Sequence, residues 1–267
     1  MNGSRLRTSI LGQSDRILLR PAVTGRPRYR LICLHHAGGG AAAYVPWFRR
    51  IAADVEVCAI RLPGRESRWR EPAHLTVTAA VAEILDVVGP LAVDDVPMAL
   101  YGHSMGGVLA YETYSALTRQ GAPEPLFLAM GATPSPLRQV ECTPRLPAGY
   151  GRGDLVDVLR DYRGTPPEVF EQQDLLDIVL PVLEADLLLL DAYQPALPPR
   201  PVRCPLVAFA GSCDPLVAAD DTAAWRDCAA GAFEHRLLDG GHFFLQSHMD
   251  TVLDRLEEWS REVESSR

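Results

Sequence analysis

Val96-Pro97-Met98-Ala99-Leu100-Tyr101-Gly102-His103-Ser104-Met105-Gly106-Gly107-Val108-Leu109-Ala110 sets a short apolar run directly against the start of a helical pattern. Residues 96–101 have the length and composition of a buried strand, and from Gly107 to Tyr114 the apolar residues recur at helical spacing. Between the two lies the pentapeptide Gly102-His103-Ser104-Met105-Gly106. A Gly-x-Ser-x-Gly held between strand and helix is a nucleophile elbow, in which the chain turns so sharply that the serine Oγ projects from the top of the sheet. Glycines two before and two after the serine keep side chains out of that turn. The helix behind Ser104 also aims backbone N–H groups and its positive dipole end at the same place.

Outward from the elbow, strands and helices alternate. A strand over 28–34 ends in His35-His36-Ala37-Gly38-Gly39-Gly40, and Tyr44, Trp47, Phe48 and Ile51 give helical spacing over 41–53. A strand over 55–60, an arginine-rich loop over 61–70, a helix over 76–88 and a strand over 125–130 complete the first part. The pattern predicts an α/β fold, a mostly parallel sheet with helices on both faces. It stops over 133–201, where proline-broken loops flank two helical patterns, 154–162 and 174–193, the second expected to kink at Pro181. It resumes with a strand over 204–210, a helical stretch over 220–228, a strand over 233–238 and a last helix over 249–262. The expectation is one domain over 1–267 with a helical lid insertion at about 133–201, the plainer alternative being an extension of the core.

At 267 residues and 47% hydrophobic composition, the chain can bury a large core. A net charge of −8 argues against a nucleic-acid partner. No apolar run approaches the roughly 20 residues that span a bilayer, so no membrane partner is expected. Met1-Asn2-Gly3-Ser4-Arg5-Leu6 does not begin an apolar signal segment, and the six cysteines are scattered with no Cys-x-x-Cys pair. A cytoplasmic protein with reduced thiols is the expectation. All 26 basic residues are arginine, read here as a genome bias rather than a functional signal.

A serine hydroxyl needs a neighbouring base to take its proton, and that base needs an orienting acid. On an elbow the order along the chain is Ser, then Asp or Glu, then His. The strand that follows the insertion runs into Gly211-Ser212-Cys213-Asp214-Pro215, which puts Asp214 at the strand's C-terminal end. Leu237-Leu238-Asp239-Gly240-Gly241-His242 puts His242 in a glycine loop after the last strand, with only His248 beyond it. Each residue alone has an ordinary reading, a turn for the aspartate and an exposed loop for the histidine. Together and in order they make Ser104, Asp214 and His242 the candidate catalytic triad. His103 sits beside the serine on a sharp turn and is expected to point elsewhere. For a developing oxyanion the candidate donors are the N–H of Met105 and the N–H of Ala37, the latter in a loop of the His-Gly-Gly-Gly type. His35 and His36 bring no ligand set at zinc spacing, and Gly38 to Gly40 are followed by no Gly-Lys-Ser/Thr. No metal and no cofactor are expected.

With these residues in place, the chain resembles the type II thioesterases that accompany polyketide and non-ribosomal peptide synthetases, over roughly 31–259. The resemblance is carried by His36-Ala37-Gly38-Gly39, Leu62-Pro63-Gly64-Arg65-Glu66-Ser67-Arg68, the elbow, Gly164-Thr165-Pro166-Pro167-Glu168, Asp214-Pro215-Leu216-Val217 and Gly241-His242-Phe243-Phe244. It implies an α/β-hydrolase fold whose Ser104 attacks an acyl thioester on the phosphopantetheine arm of an acyl or peptidyl carrier protein. His242 then activates the water that releases the acyl group, clearing misprimed or stalled intermediates. His35 stands where the family pattern has Pro, and Glu184 in Leu183-Glu184-Ala185-Asp186 where Arg is usual. The run Leu187 to Leu190 reads either as acyl-chamber lining or as helix core. Carrier proteins tend to be acidic, so docking calls for a local basic patch: Arg61, Arg65, Arg68 and Arg70, or else Arg145, Arg152, Arg160 and Arg163. The rival readings are a serine esterase or lipase acting on oxygen esters, a medium-chain fatty acyl thioesterase, and a non-catalytic module on a decayed scaffold.

Overall fold

The computed structural model describes residues 16–21, 25–142 and 146–265. Among these, strands β1 (Leu18–Leu19), β2 (Tyr29–Leu34), β3 (Val55–Ile60), β4 (Met98–His103), β5 (Leu128–Gly131), β6 (Leu206–Gly211) and β7 (Phe233–Leu238) form one sheet. Their order is β1-β3-β2-β4-β5-β6-β7. Only β1 runs antiparallel to its neighbour; every other pairing is parallel, with Leu31 opposite Val57 on one side and Ala99 on the other. Parallel strands need covering on both faces and so read as continuous apolar runs. All six residues of β3 are buried accordingly.

Alternate strand residues feed two cores. Ile32, Leu34, Leu100 and Met130 share one with helices α1 (Val77–Ala92) and α2 (Met105–Arg119), through residues such as Ile84 and Leu109. Leu31, Cys33, Tyr101, Phe127 and Phe209 share the other with Trp47 and with Leu253 and Trp259 of the C-terminal helix. Thr76 starts α1 by accepting the Ala79 N–H on its side chain, the bond a helix N-cap supplies.

Between β5 and β6 the chain leaves the sheet for a helical insertion. Its main elements are α3 (Arg152–Asp161) and α4 (Gln173–Asp191), with short turns at Gln139–Cys142 and Pro167–Glu171. Leu155, Leu159, Leu176, Leu180, Leu183 and Leu187 join the core on the α2 side. The chain closes with α5 (Leu245–Ser265), irregular at His248.

One expectation is corrected. The helical spacing over 41–53 yields a 3-10 turn, Ala41–Tyr44, and a separate short helix, Trp47–Arg50, because Pro46 has no N–H to continue a ladder. The second helix of the insertion runs from Gln173 to Asp191 with Pro181 inside it and buried leucines on either side. All six cysteines are free, and no helix among the described residues is long and apolar enough to cross a membrane.

The strand order reverses between β2 and β4, since the chain continues from β2 to one side and from β4 to the other. In parallel sheets the crevice beyond the carboxyl ends at such a switch point is where sites are built. Ala37 and Ser104 lie at its two lips.

Candidate active site

Ser104 adopts φ 56° and ψ −119°, a conformation that side chains rarely tolerate. The surroundings over-determine it. Its N–H donates to the Gly131 carbonyl at 2.7 Å, and its own carbonyl accepts from the Gly107 N–H at 2.9 Å and the Thr133 hydroxyl at 3.1 Å. A Cβ at Gly102 would overlap the Gly106 carbonyl, and one at Gly106 would overlap the carbonyl of Leu34 at the end of β2. The two glycines are therefore demanded by backbone approach, and the elbow is seated directly on β2.

The structure brings the three residues of the candidate triad together from three strand ends. Ser104 Oγ lies 2.9 Å from His242 Nε2, and His242 Nδ1 lies 2.8 Å from Asp214 Oδ2. The second oxygen of Asp214 accepts the N–H groups of Leu216 (2.8 Å) and Val217 (3.2 Å), so the carboxylate is fixed by its own loop. Both side chains are buried, His242 at 2% and Asp214 at 1% exposure. With the Nδ1 proton directed at Asp214, Nε2 is the acceptor for the serine hydroxyl. His103 turns away from the serine and, through Nε2, donates to the backbone carbonyl of His242 at 2.8 Å. Burial, reinforced by His242 and His36, holds His103 well below its ordinary range. The His248 ring bonds the Ser247 hydroxyl at 2.9 Å.

On the other side of Ser104, His36 to Gly39 form a tight turn closed by Gly39 N–H to the His36 carbonyl at 3.1 Å. Gly38, with φ +75°, fills the turn position that calls for glycine. Neither Ala37 N–H nor Met105 N–H donates to a protein acceptor among the described residues. His36 packs its ring against Phe243, 4.8 Å between centroids, and is depressed to about 4 by burial, then by His242 and Arg65.

Sequence reasoning missed Asp186 and misread Arg65. The arginine-rich loop is no open basic patch. Arg65 is buried and forms a two-pronged ion pair with Asp186 of α4, both N···O distances 2.7 Å. Asp186 also accepts the Gly38 N–H at 2.8 Å, while Arg65 donates to the Gly39 carbonyl at 3.0 Å. Glu66 accepts the Ala42 N–H at 2.8 Å and pairs with Arg61. Arg68 is also buried, between Glu71 and Glu83. Burial alone lowers the Arg68 pKa, but its bonds to Glu83 and Glu71 outweigh that and raise it. Only Arg70 of that group is exposed without an ion pair among the described residues, and it stacks on Trp69 at 4.5 Å. In the second group Arg152 and Arg160 are exposed beside Asp177 and Asp157, Arg163 is exposed, and Arg145 lies outside the described residues. The available signal was Asp186 itself, a charge inside the leucine stripe of α4, which burial obliges to have a partner.

A small cavity of about 30 Å³ opens on Ser104 and His242, walled by Val108, Tyr162, Leu190 and Val217. Leu187, Leu189 and Leu190 all join the buried core, and Leu190 also lines the chamber. Gly164 in the insertion abuts the Phe243 ring so closely that a Cβ there would overlap it. A larger cavity of about 590 Å³, between α1, α2 and the end of α4, reaches none of these residues. Among the described residues no group of three or more His, Cys, Asp or Glu is placed to hold a metal.

A mostly parallel sheet, a serine elbow after its central strand, and Asp and His on successive strand ends define an α/β-hydrolase. Within that class the chain belongs to the thioesterase family, whose Thioesterase domain matches residues 29–260. It is 34% identical over 225 residues to the probable cadicidin biosynthesis thioesterase of Streptomyces griseus, covering 84% of this chain and 60% of that protein. The chain thus spans less than two thirds of that relative's length. Among solved structures, RedJ, a thioesterase from the prodiginine pathway of Streptomyces coelicolor, superposes with a TM-score of 0.79 at 32% identity, over 90% of this chain and 95% of that one. BorB, the type II thioesterase of the borrelidin biosynthetic cluster, gives 0.81 at 32% identity over 91% and 97%.

Proposed function

We propose that the chain is a type II thioesterase that hydrolyses acyl groups from the phosphopantetheine arm of acyl or peptidyl carrier proteins, with Ser104 as nucleophile. The observation that carries this reading is the hydrogen-bonded line from Ser104 Oγ through His242 to Asp214. As Oγ attacks the thioester carbonyl, His242 Nε2 takes its proton and Asp214 steadies the imidazolium. The N–H groups of Met105 and Ala37 receive the oxyanion. Collapse expels the thiolate, which takes the proton from His242 and leaves Ser104 acylated. His242 then deprotonates a water that attacks the ester carbonyl, and its return of that proton to Ser104 Oγ frees the carboxylic acid.

The insertion over 133–201 is read as a lid on a single α/β-hydrolase domain. A cavity of about 30 Å³ holds little more than a water-sized group, so a longer acyl chain calls for side-chain rearrangement in a wall that includes Tyr162 and Leu190. The free cysteines fit a reducing cytoplasm.

The test compares one short acyl group on a holo carrier protein, on a pantetheine thiol and as an oxygen ester. The expected result is a kcat/KM advantage for the carrier-bound thioester of tenfold or more over the other two (about 1.4 kcal/mol per factor of ten). Equal or better turnover of the oxygen ester would reduce the protein to a general esterase.

A further inference from the structure

We infer that Arg65 and Asp186 are positioning residues that hold the Ala37 N–H in place for the oxyanion, so that the donor is assembled only while α4 is docked. The inference rests on the proposed nucleophilic role of Ser104 and extends it to two residues that do not touch the reacting atoms.

The geometry follows from peptide planarity. The His36 carbonyl is drawn into the turn by the Gly39 N–H, and the Ala37 N–H, trans to it across the same peptide, faces the opposite way. That orientation lasts only as long as the turn does. Gly38 and Gly39 have little conformational preference of their own, so the turn needs outside support. The buried carboxylate of Asp186 takes the Gly38 N–H, and the guanidinium of Arg65, locked to the same carboxylate, takes the Gly39 carbonyl. The two ligands grip successive parts of one turn and each other. Leu183, one helical turn before Asp186, lies in contact range of Gly38 and seats the helix on the turn. Glu66 continues the grip by accepting the Ala42 N–H.

Asp186 lies 148 residues from Gly38 along the chain, in the insertion and not in the sheet. Lifting α4 therefore takes away the acceptor of the Gly38 N–H and the partner of Arg65 in one movement. Closure of the insertion and completion of the oxyanion site become a single event, and an acyl group bound under an open insertion meets a nucleophile without its second donor.

The experiment uses the full chain with a short acyl pantetheine thioester. The double variant Arg65→Met with Asp186→Leu removes both buried charges together, which avoids leaving one unpaired, and deprives the turn of both ligands. Asp186→Asn keeps a carbonyl acceptor for the Gly38 N–H. The double variant is expected to lower kcat about 100-fold, the scale of losing one oxyanion donor, with KM within about threefold and the thermal midpoint near the parent's. Its affinity for a boronic acid, a tetrahedral mimic, is expected to fall in step with kcat. Asp186→Asn is expected to recover about tenfold of that loss. A folded double variant with parental kcat overturns the inference, as does an Asp186→Asn variant no better than the double. Should the double variant fail to fold, Asp186→Asn decides alone: a loss in kcat without a change in KM supports the inference, and kcat falling only in proportion to folded fraction overturns it. Labelling of the parent by a fluorophosphonate, absent in Ser104→Ala, separates the two levels. If the parent is not labelled at Ser104 the nucleophile assignment itself is wrong, whereas normal labelling with parental kcat in the double variant sinks the positioning role only.

Discussion

His242 is held by neighbours from its own sheet edge: Asp214 from the loop after β6, and His103 from the end of β4, which anchors its backbone carbonyl. The turn at Ala37, on the other flank of Ser104, is held by Arg65 from the loop after β3 and by Asp186 from the middle of α4, outside the sheet altogether. On the roles proposed above, the proton-handling half draws its hydrogen bonds from the α/β frame, and the charge-stabilising half draws one of its supports from the insertion. The insertion also reaches the histidine flank, through Tyr162 beside the His242 ring and Gly164 against Phe243, but there it adds ring packing and not a buried ion pair. The two flanks of Ser104 therefore differ in how much of their support comes from outside the sheet.

The largest break in this comparison comes on the histidine flank. His242→Ala is expected to lower kcat by about 10⁶-fold and Asp214→Asn by about 10⁴-fold, read as single-turnover acyl release with binding little changed. On the other flank the singles act first on stability. Arg65→Met or Asp186→Leu alone leaves a buried charge without its partner and should cost about 3–5 kcal/mol in urea unfolding, far more than the double variant. The thermodynamic cycle built from these variants measures the coupling directly.

Acid should weaken the site as a whole. His36, depressed to about 4 by burial, His242 and Arg65, has a folded-state pKa below its ordinary 6.5, and burial also holds His35 and His103 well below theirs. Between those values the unfolded chain binds more protons than the folded one, so the stabilisation is complete above 6.5 and is lost as pH falls toward 4. His36 alone accounts for at most about 3 kcal/mol. The unfolding midpoint should drop across that window, and less so in His36→Gln. The smallest effect concerns docking. Reversing Arg160 and Arg163 to Glu is expected to lower kcat/KM a few-fold for a carrier-bound substrate in low salt and to leave a pantetheine thioester unaffected.

The legible parts of the molecule were those whose signal is local. An elbow shows itself as two glycines around a serine because backbone contact excludes every side chain there. Asp214 and His242 follow strand ends in an order set by chain topology. Arg65 and Asp186 are 121 residues apart, and their pairing is decided by how the insertion packs, which no spacing rule encodes. Arginines in a loop advertise charge but not burial, which is why Arg65 and Arg68 resembled a docking patch. The turn and helix over 41–53 were misjudged for the opposite reason: apolar periodicity continued past Pro46, where the backbone could not.

The contact between Gly106 and the Leu34 carbonyl has a consequence for how such an enzyme can change. Ser104 and the turn at Ala37 grow from one shared root, where the elbow sits on the end of β2, so neither can be re-aimed without rebuilding the other. New acyl preferences have to be won at the chamber wall, from Val108 and Val217 on the frame and from Tyr162 and Leu190 on the insertion. Mutational drift in the insertion is the cheap direction for a new substrate, bounded by Asp186 through the positioning role inferred for it.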